Sequence, residues 1–377
     1  MAPIRIALIG LSQSAKTSWA SEGHLPYLLS DRGRQRYQIK ALLNSSVDAA
    51  RKAIGSYNLG PDTKAYGSPQ DLAADPDIDL VVNTTRVDVH YDTIKPSIEA
   101  GKSVFIEYPI AENTQRAKEL AEQAKGKNVA NIVGLQARVA PAVLKVKEII
   151  ESGEIAKVLS SSVQAYSPFS GRDSISEGLA YFLDKKVGGN PVIIAFGHMI
   201  DFVHFVLGEY SSSHAHTQIQ RPKQSIVNKE TGEKRPTISD VPDLVSVHGT
   251  LQSSSYVEDG ASLIVNFRTG PPFPGTLPFV WTINGEKGEI RILSERGPFL
   301  QSEASAFDIP VEVEDFSTGQ VRKVEWQWEE WQKTLLPRSR NIAKLYDLYA
   351  EGRLHCTLES AVVRHKQLDA ILYPNQS

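Results

Sequence analysis

The run Gly10-Leu11-Ser12-Gln13-Ser14-Ala15 directly follows the apolar stretch Ile4–Ile9 and precedes a segment able to continue as a helix. Binding a dinucleotide pyrophosphate at such a turn makes three demands. One residue must bend tightly, a small residue must let backbone approach the phosphates, and another small residue must let helix pack on strand. Gly10 meets the first demand and Ala15 the last, while Ser12 stands where a middle glycine is usual. The N–H groups and dipole of the following helix would add attraction for an anion. Ser12, Ser14, Lys16 and Thr17 add side-chain donors. The other reading is the small-residue turn that any α/β protein has after its first strand.

Three more places carry usable chemistry. Asn44-Ser45-Ser46 closes the second apolar run, Ile39–Leu43, with Arg51 and Lys52 further on. A carboxylate there binds a ribose 2′-hydroxyl. Its absence, with two serine donors, favours NADP(H) over NAD(H), unless the tripeptide is only a polar turn. Glu107-Tyr108-Pro109 follows the run Val104–Ile106, and a residue before proline is held extended, so Tyr108 can present its hydroxyl to a ligand or pack as a strand-end tyrosine. In Phe196–His204, His198 and Asp201 are three apart and share a helix face. A histidine near neutral pKa is a natural acid or base for interconverting carbonyl and alcohol. Adding His204 to make a metal site would fan the three side chains over about 120°, so no metal is expected, and His204 reads as a packed histidine.

The elements that must hold these groups change character along the chain. Up to residue 137, short apolar runs (Ile4–Ile9, Ile39–Leu43, Ile78–Val82, Val104–Ile106, Asn131–Leu135) alternate with helical patterns (Ala49–Ile54, His90–Ala100, Asn113–Lys125). Such alternation predicts a parallel sheet covered on both faces, the α/β Rossmann-type arrangement. After the helix Val139–Ser152, the runs Val158–Tyr166, Ser246–Gln252, Leu263–Arg268, Phe279–Ile283, Glu289–Leu293 and Lys323–Trp326 read as successive strands. They predict an α+β domain with a large, mostly antiparallel open sheet, interrupted by the apolar helix Phe196–Leu207. Arg221–Pro236 reads as an exposed hairpin or loop, and helices are expected over Arg340–Glu351 and Glu359–Leu372. We therefore expect a dinucleotide-binding domain over residues 1–137 and a substrate and dimerisation domain over 138–377, its last helix able to pack back on the first.

With 377 residues and ~150 per domain, two domains is also the expectation from length. A net charge of −3 gives no basic field for nucleic acid, and one cysteine, Cys356, allows no internal disulfide. No apolar run reaches membrane-spanning length, and MAPIRIALIG reads as a first strand rather than a leader. A soluble cytoplasmic protein with no nucleic-acid or membrane partner is expected.

Longer pieces fall in a telling order. They are Ile9–Ala15, Asn83–His90, Ala100–Pro109, Gly134–Arg138 with Pro141 after it, Gly188-Gly189, Phe196–Asp201, Gly285–Ile292 and Leu358–Ile371. In that order the chain resembles the glucose–fructose oxidoreductase, inositol dehydrogenase and MocA family over nearly its whole length. Val241-Pro-Asp243 and His248-Gly-Thr-Leu251 make it similar to a fungal branch that includes the galactose-pathway co-repressor of yeasts. The resemblance implies a nicotinamide cofactor touched by Thr84, Thr85, His90, Glu107, Tyr108 and Gln136 as well as by the first turn. It places Tyr166, Tyr181, Asn190, His198 and Asp201 toward a small-molecule substrate, and it implies a homodimer through the open sheet. Active members carry Glu-Lys-Pro and an aspartate four residues before the catalytic histidine. Here those places hold Tyr108 and Ile194, so only His198 remains of that set. The resemblance then implies hydride transfer to a carbonyl, enone or imine, with His198 and Tyr108 handling the proton. Its alternatives are a silent NAD(P)-binding regulator that meets a partner protein, or a cofactor-assisted isomerase.

Overall fold

A computed structural model describes residues 2–15, 19–168, 171–302, 307–353 and 356–373. The chain forms two compact units, one of Met1–Gln136, Lys186–Gly189 and Glu330–Lys366, the other of Ala137–Lys185, Asn190–Glu329 and Gln367–Ser377.

In the first unit, strands β1 (Ile4–Ile9), β2 (Tyr37–Leu43), β3 (Lys64–Tyr66), β4 (Leu80–Asn83), β5 (Ser103–Ile106) and β6 (Asn131–Val133) make one six-stranded sheet in the order β3-β2-β1-β4-β5-β6. All its pairings are parallel. Ile6–Ile9 and Leu80–Asn83 are buried throughout, as strands covered on both faces must be. The crossovers run through α1 (Leu25–Leu29), α2 (Asp31–Arg36), α3 (Val47–Ser56), α4 (Pro69–Ala74), α5 (His90–Glu99) and α6 (Thr114–Gly126). Side chains start four of these helices: Ser30, Ser46, Ser68 and Asn113 each accept the backbone N–H three residues on, satisfying a donor the helix itself leaves open. The strand order reverses between β1 and β4, which in an open α/β sheet is where ligands bind, beyond the carboxyl ends. Strand β3 was not expected. Three partly exposed residues at a sheet edge carry no apolar run to read.

The second unit follows α7 (Pro141–Glu151) with β7 (Val158–Ser167), β8 (Ser174–Ser176), α8 (Gly197–Leu207) and strands β9 (Tyr210–Gln218), β10 (Lys223–Val227), β11 (Lys234–Ile238), β12 (Leu244–Leu251), β13 (Val257–Thr269), β14 (Phe279–Gly285), β15 (Gly288–Ser294), β16 (Val311–Asp315) and β17 (Gln320–Lys323). Eight of them form the sheet β17-β16-β15-β14-β7-β13-β12-β9, antiparallel except where β13 meets β7. This is the large, mostly antiparallel sheet expected. The segment Arg221–Pro236 forms the hairpin of β10 and β11, extended by β8 into a separate three-stranded sheet. Helix α8 covers one face of the large sheet. Phe196, just before it, meets Phe267 with ring centroids 5.7 Å apart, and Phe202 meets Trp281 at 5.8 Å. On the opposite face Ser162, His248 and Ile264 are exposed. The last strand lies at Gln320–Lys323, three residues before the expected Lys323–Trp326, and β9 was missed because Ser-Ser-Ser-His dominates it.

The chain then adds α9 (Glu330–Lys333), α10 (Pro337–Ala350) and α11 (Leu358–Leu372). Helix α10 is anchored in the first unit. Tyr346 stacks on Tyr27 at 5.7 Å, Tyr37 donates its hydroxyl to Tyr346 O at 2.6 Å, and Arg32 grips Asp347 through two bonds of 2.8 Å. Leu358 begins α11 by donating its N–H to Asn131 Oδ1 at 2.7 Å.

Candidate functional site

Gly10 ends β1 with φ at +96°, a backbone state that glycine adopts without strain. A Cβ there would stand 2.7 Å from Thr85 Cγ2. The turn is bare because the end of β4 lies directly against it. Thr84 donates to Ile9 O through both N–H and hydroxyl, at 3.1 and 2.7 Å. Fully buried Asn83 shapes this Asn-Thr-Thr corner, its Oδ1 accepting from the N–H and hydroxyl of Thr85 at 3.2 and 2.7 Å. Beyond Gly10 the loop folds on itself. The Ser12 and Ser14 hydroxyls are 2.9 Å apart, and Ser14 N–H donates to Ser12 Oγ at 3.2 Å. Leu11 is buried, whereas Gln13 and Ser14 are exposed at the tip. Serine thus makes the turn that glycine usually makes. Ala15 closes it, and Lys16 and Thr17 lie outside the described residues.

At the end of β2, Asn44 donates its amide to Leu11 O at 3.0 Å, so its side chain braces the Gly10 loop. Ser46 caps α3 by accepting Ala49 N–H at 3.1 Å. Ser45 is exposed. Asp48, two residues after Ser46, is exposed in the first turn of α3 beside Arg51.

The carboxyl end of β5 is built more deeply. Glu107 is buried, with Oε1 2.9 Å from His24 Nε2, and His24 Nδ1 is 2.9 Å from the Tyr346 hydroxyl. Burial pushes the Tyr346 pKa well up. The set is satisfied when Tyr346 O–H donates to Nδ1 and Nε2–H donates to the Glu107 carboxylate. Glu107 also explains Gly134, where a Cβ would stand 2.6 Å from Oε2. His90 ties this corner to the β4 corner: its ring nitrogens lie 2.9 Å from Pro109 O and 2.8 Å from Thr85 O. Burial holds its pKa below the ordinary value, so the neutral ring donates to one of these carbonyls. With both nitrogens facing backbone, His90 positions the loops. Tyr108, 5% exposed, precedes Pro109 through a cis peptide bond, and its ring meets that of His365 edge-on at 5.8 Å.

In the second unit Asn190 is buried and its Oδ1 accepts the N–H groups of Val192 and Ile193, both at 3.0 Å. It starts the wide helical turn Val192–Phe196 that leads into α8 and contains Ile194. His198 is buried on α8. Asp201, expected beside it, has both oxygens held by Arg138 at 2.6 and 2.8 Å. His204 faces Gly208 O at 2.7 Å and the Gln367 amide at 2.7 Å, as a packed core histidine would. Tyr166 does not join His198. It alternates with buried Val163 and Ala165 along β7 and so stands on the sheet face opposite α8, under Arg268 at 4.5 Å. Tyr181 lies in the short helical segment Glu177–Leu183, edge-on to Phe182.

Sequence reasoning missed His24, Tyr346, His365 and Arg138. The first three meet the β5 end from parts of the chain far from it in sequence, and only the aromatic content of Tyr27, Tyr37 and Tyr346 hinted at a shared cluster. Among the described residues no group of three or more His, Cys, Asp or Glu side chains could hold a metal ion, and no helix is long and apolar enough to cross a membrane.

The sheet order is that of dinucleotide-binding folds, and the residues present fit such a ligand. Gly10 leaves a bare backbone cradle at the switch point, and the buried Oε1 of Gln136, just past β6, has no hydrogen-bond partner among the described residues. Buried polar atoms in that state call for a partner outside the chain.

Comparison with known proteins agrees. Residues 4–135 match the family described as the oxidoreductase family with an NAD-binding Rossmann fold, and residues 141–294 match the Gal80p C-terminal domain. Over 374 residues the chain is 32% identical to dehydrogenase aclE of Aspergillus oryzae, covering 99% of this chain and 96% of that one. It is 26% identical over 307 residues to the galactose/lactose metabolism regulatory protein GAL80 of Saccharomyces cerevisiae, covering 78% and 68%. Among solved structures, a super-repressor mutant of Gal80p from Saccharomyces cerevisiae superposes with a TM-score of 0.86 at 21% identity, covering 100% of this chain and 96% of that one. Apo levoglucosan dehydrogenase gives 0.76 at 20% identity, covering 99% and 96%. These two likenesses speak to the fold.

Proposed function

We propose a function for a chain that belongs to the glucose–fructose oxidoreductase, inositol dehydrogenase and MocA family, in its Gal80-like branch: it binds NADP(H) in preference to NAD(H) and reduces a carbonyl, enone or imine of a small organic molecule. The observation that supports cofactor binding most strongly is Gly10, held at positive φ against Thr85 where the strand order reverses. The phosphorylated form is favoured because Asn44-Ser45-Ser46 brings no carboxylate to the end of β2.

When bound, the cofactor supplies hydride. The chain's residues do the rest. Gly10–Ala15 and Thr84–Thr85 would cradle the phosphates, with the Gln136 amide holding a polar group of the ligand. Tyr108 O–H and the His198 ring are the groups proposed to hold and release the proton. A phenol with an ordinary pKa of ~10 is an effective donor and a poor base at neutral pH, which suits reduction better than oxidation of an alcohol. Asn190 sets the turn that presents His198, and Asp201, held by Arg138, steadies the same helix. A cytoplasmic homodimer paired through the open sheet face with Ser162, His248 and Ile264 belongs to the same proposal, and a monodisperse monomer in light scattering would remove it.

Titration of the protein with NADPH, NADH and their oxidised forms, read by nicotinamide fluorescence, tests the reading. Micromolar binding that prefers the phosphorylated forms is expected, followed by NADPH consumption with a carbonyl panel. His198→Asn should then cut turnover by about 10²-fold or more. Unchanged turnover would remove His198 from the chemistry.

The second reading is a regulator that binds the dinucleotide without turnover. Tyr108 and Ile194, where active members carry lysine and aspartate, favour it, as does the similarity to GAL80. It predicts tight NADPH binding with no consumption by any carbonyl compound tried.

A further inference from the structure

Among the described residues of the first unit three histidines are buried, and the fold treats one of them differently. His24 has both ring nitrogens engaged, by Glu107 and Tyr346, and His90 has both facing backbone carbonyls. His365, on α11, is 4% exposed, and its Nε2 is fully buried with no hydrogen-bond partner among the described residues. Its ring lies against Tyr108 at 5.8 Å. Tyr108 directly follows Glu107 at the carboxyl end of β5, the edge at which an open α/β sheet receives its ligand. A buried polar atom left alone is costly to a fold and rare in native structures. A group from outside the chain can complete it.

We propose that His365 is a ligand-contacting residue of the first unit, offering Nε2 beside Tyr108 to an uncharged amide or carbonyl group of the bound dinucleotide or substrate, an inference that rests on the nicotinamide-binding reading above. The chemistry of the position selects that class. Burial pushes the His365 pKa down to about 4, so the ring is neutral at physiological pH and has no charge to offer a phosphate or carboxylate. A neutral imidazole nitrogen donates or accepts one hydrogen bond according to its tautomer. Tyr108, its neighbour, is likewise an uncharged donor and acceptor. Two such groups side by side match an oxygen or N–H of a carboxamide, or the oxygen of a carbonyl substrate. Both sources carry the same chemistry.

The test uses the full-length protein labelled with ¹⁵N-histidine, in which nine histidines give ring signals and His365→Gln and His365→Phe identify the one from His365. NADPH or NADH is added, whichever binds more tightly, and in parallel the matching ADP-ribose or 2′-phospho-ADP-ribose, which lacks only the nicotinamide. A shift of Nε2 with the whole dinucleotide and not with the truncated one supports a contact to the carboxamide. A shift that first comes when cyclohexanone is added to the dinucleotide complex supports a contact to the substrate carbonyl. Dinucleotide binding with no Nε2 shift at any stage overturns the proposal, as does an equal shift with the truncated ligand. Failure of any dinucleotide to bind is a different result: it removes the nicotinamide-binding reading and this inference with it. An independent readout is the His365→Phe variant, which keeps an aromatic ring at the position and removes both nitrogens. It should bind the ligand partner about five- to tenfold more weakly, the size of one hydrogen bond, while its melting temperature stays level or rises. His365→Gln, which keeps a polar group near Nε2, should recover part of the affinity. A His365→Phe protein with wild-type affinity and turnover would refute the contact.

Discussion

At the amino ends of the parallel strands, Arg5 grips Asp79 through bonds of 3.0 and 2.7 Å, Lys64 reaches Asp75 and Asp77 at 3.0 and 2.8 Å, and Lys102 donates to the carbonyls of Asp75 and Ile78. At the carboxyl ends of the same strands the outer layer is unfinished: Gly10 offers bare backbone, and Gln136 Oε1 and His365 Nε2 are buried with no hydrogen-bond partner among the described residues. Beneath that layer the polar groups are complete again, through His24, Glu107, Tyr346 and His90. One sheet therefore has an edge that closes on itself and an edge that stops one layer short. The groups of the amino edge satisfy one another and hold the fold, and under the proposals above Gly10, Gln136 and His365 are the groups a ligand would meet at the edge where the strand order expects one.

The sharpest way to test that division is to break the complete layer under the open edge. Glu107→Leu would leave the His24 Nε2–H buried with its acceptor gone. Leaving a buried donor without its acceptor costs about 1–3 kcal/mol, and more where a charged group is involved, so a loss of about 3 kcal/mol is expected in urea unfolding. A loss under about 1 kcal/mol would mean that this layer carries no more of the fold than the surface pairs do.

The next effect falls on binding. Gly10→Val asks a β-branched residue to adopt φ near +96° and sets Cβ 2.7 Å from Thr85 Cγ2. Strain of this kind is of order 1–3 kcal/mol, and it disturbs the surface the pyrophosphate would use. Dinucleotide affinity should fall by about 100-fold, the equivalent of ~2.7 kcal/mol, in a protein that still folds by circular dichroism. Affinity within twofold of the parent would place the nucleotide elsewhere.

These two positions also mark what the amino-acid sequence reveals. The strand–turn at Ile4–Ala15 is local: apolar run, glycine and small residues lie next to one another, so the cradle can be read directly. The layer under it cannot, because His24, Glu107 and Tyr346 converge from separations of 83 and 322 residues and each looks ordinary among its neighbours. Asp201 illustrates the limit of helical spacing. The i,i+3 step brings it to the His198 side of α8, but the partner that holds both its oxygens is Arg138, 63 residues earlier. The face that Tyr166 takes is legible, since it is out of phase with Val163 and Ala165, the residues that mark the buried face of β7. His365 was hidden by its flanks: Arg364, Lys366 and Gln367 suggest a solvent face, while the ring between them is buried.

The smallest expected effect belongs to the closed edge. The hydrogen bond from Arg5 holds the Asp79 carboxyl below the usual carboxylate range. A carboxyl whose pKa is lower in the folded than in the unfolded chain adds stability above its unfolded value, ~3.9, and that stability is lost as pH falls through the folded value. The wild-type urea midpoint should therefore decline below about pH 4 more steeply than that of Asp79→Asn, while near pH 7 the variant is the less stable of the two. Because the side chains of Arg5 and Asp79 are 36% and 43% exposed, solvent screens the pair, and the change should be a minor fraction of the Glu107→Leu loss. Dinucleotide affinity should not move at all, since every partner of Asp79 lies at the other end of the strands. An Asp79→Asn protein that binds NADPH as weakly as Gly10→Val would show that the two edges are coupled, and the separation of fold-holding from ligand-facing polar groups would fail.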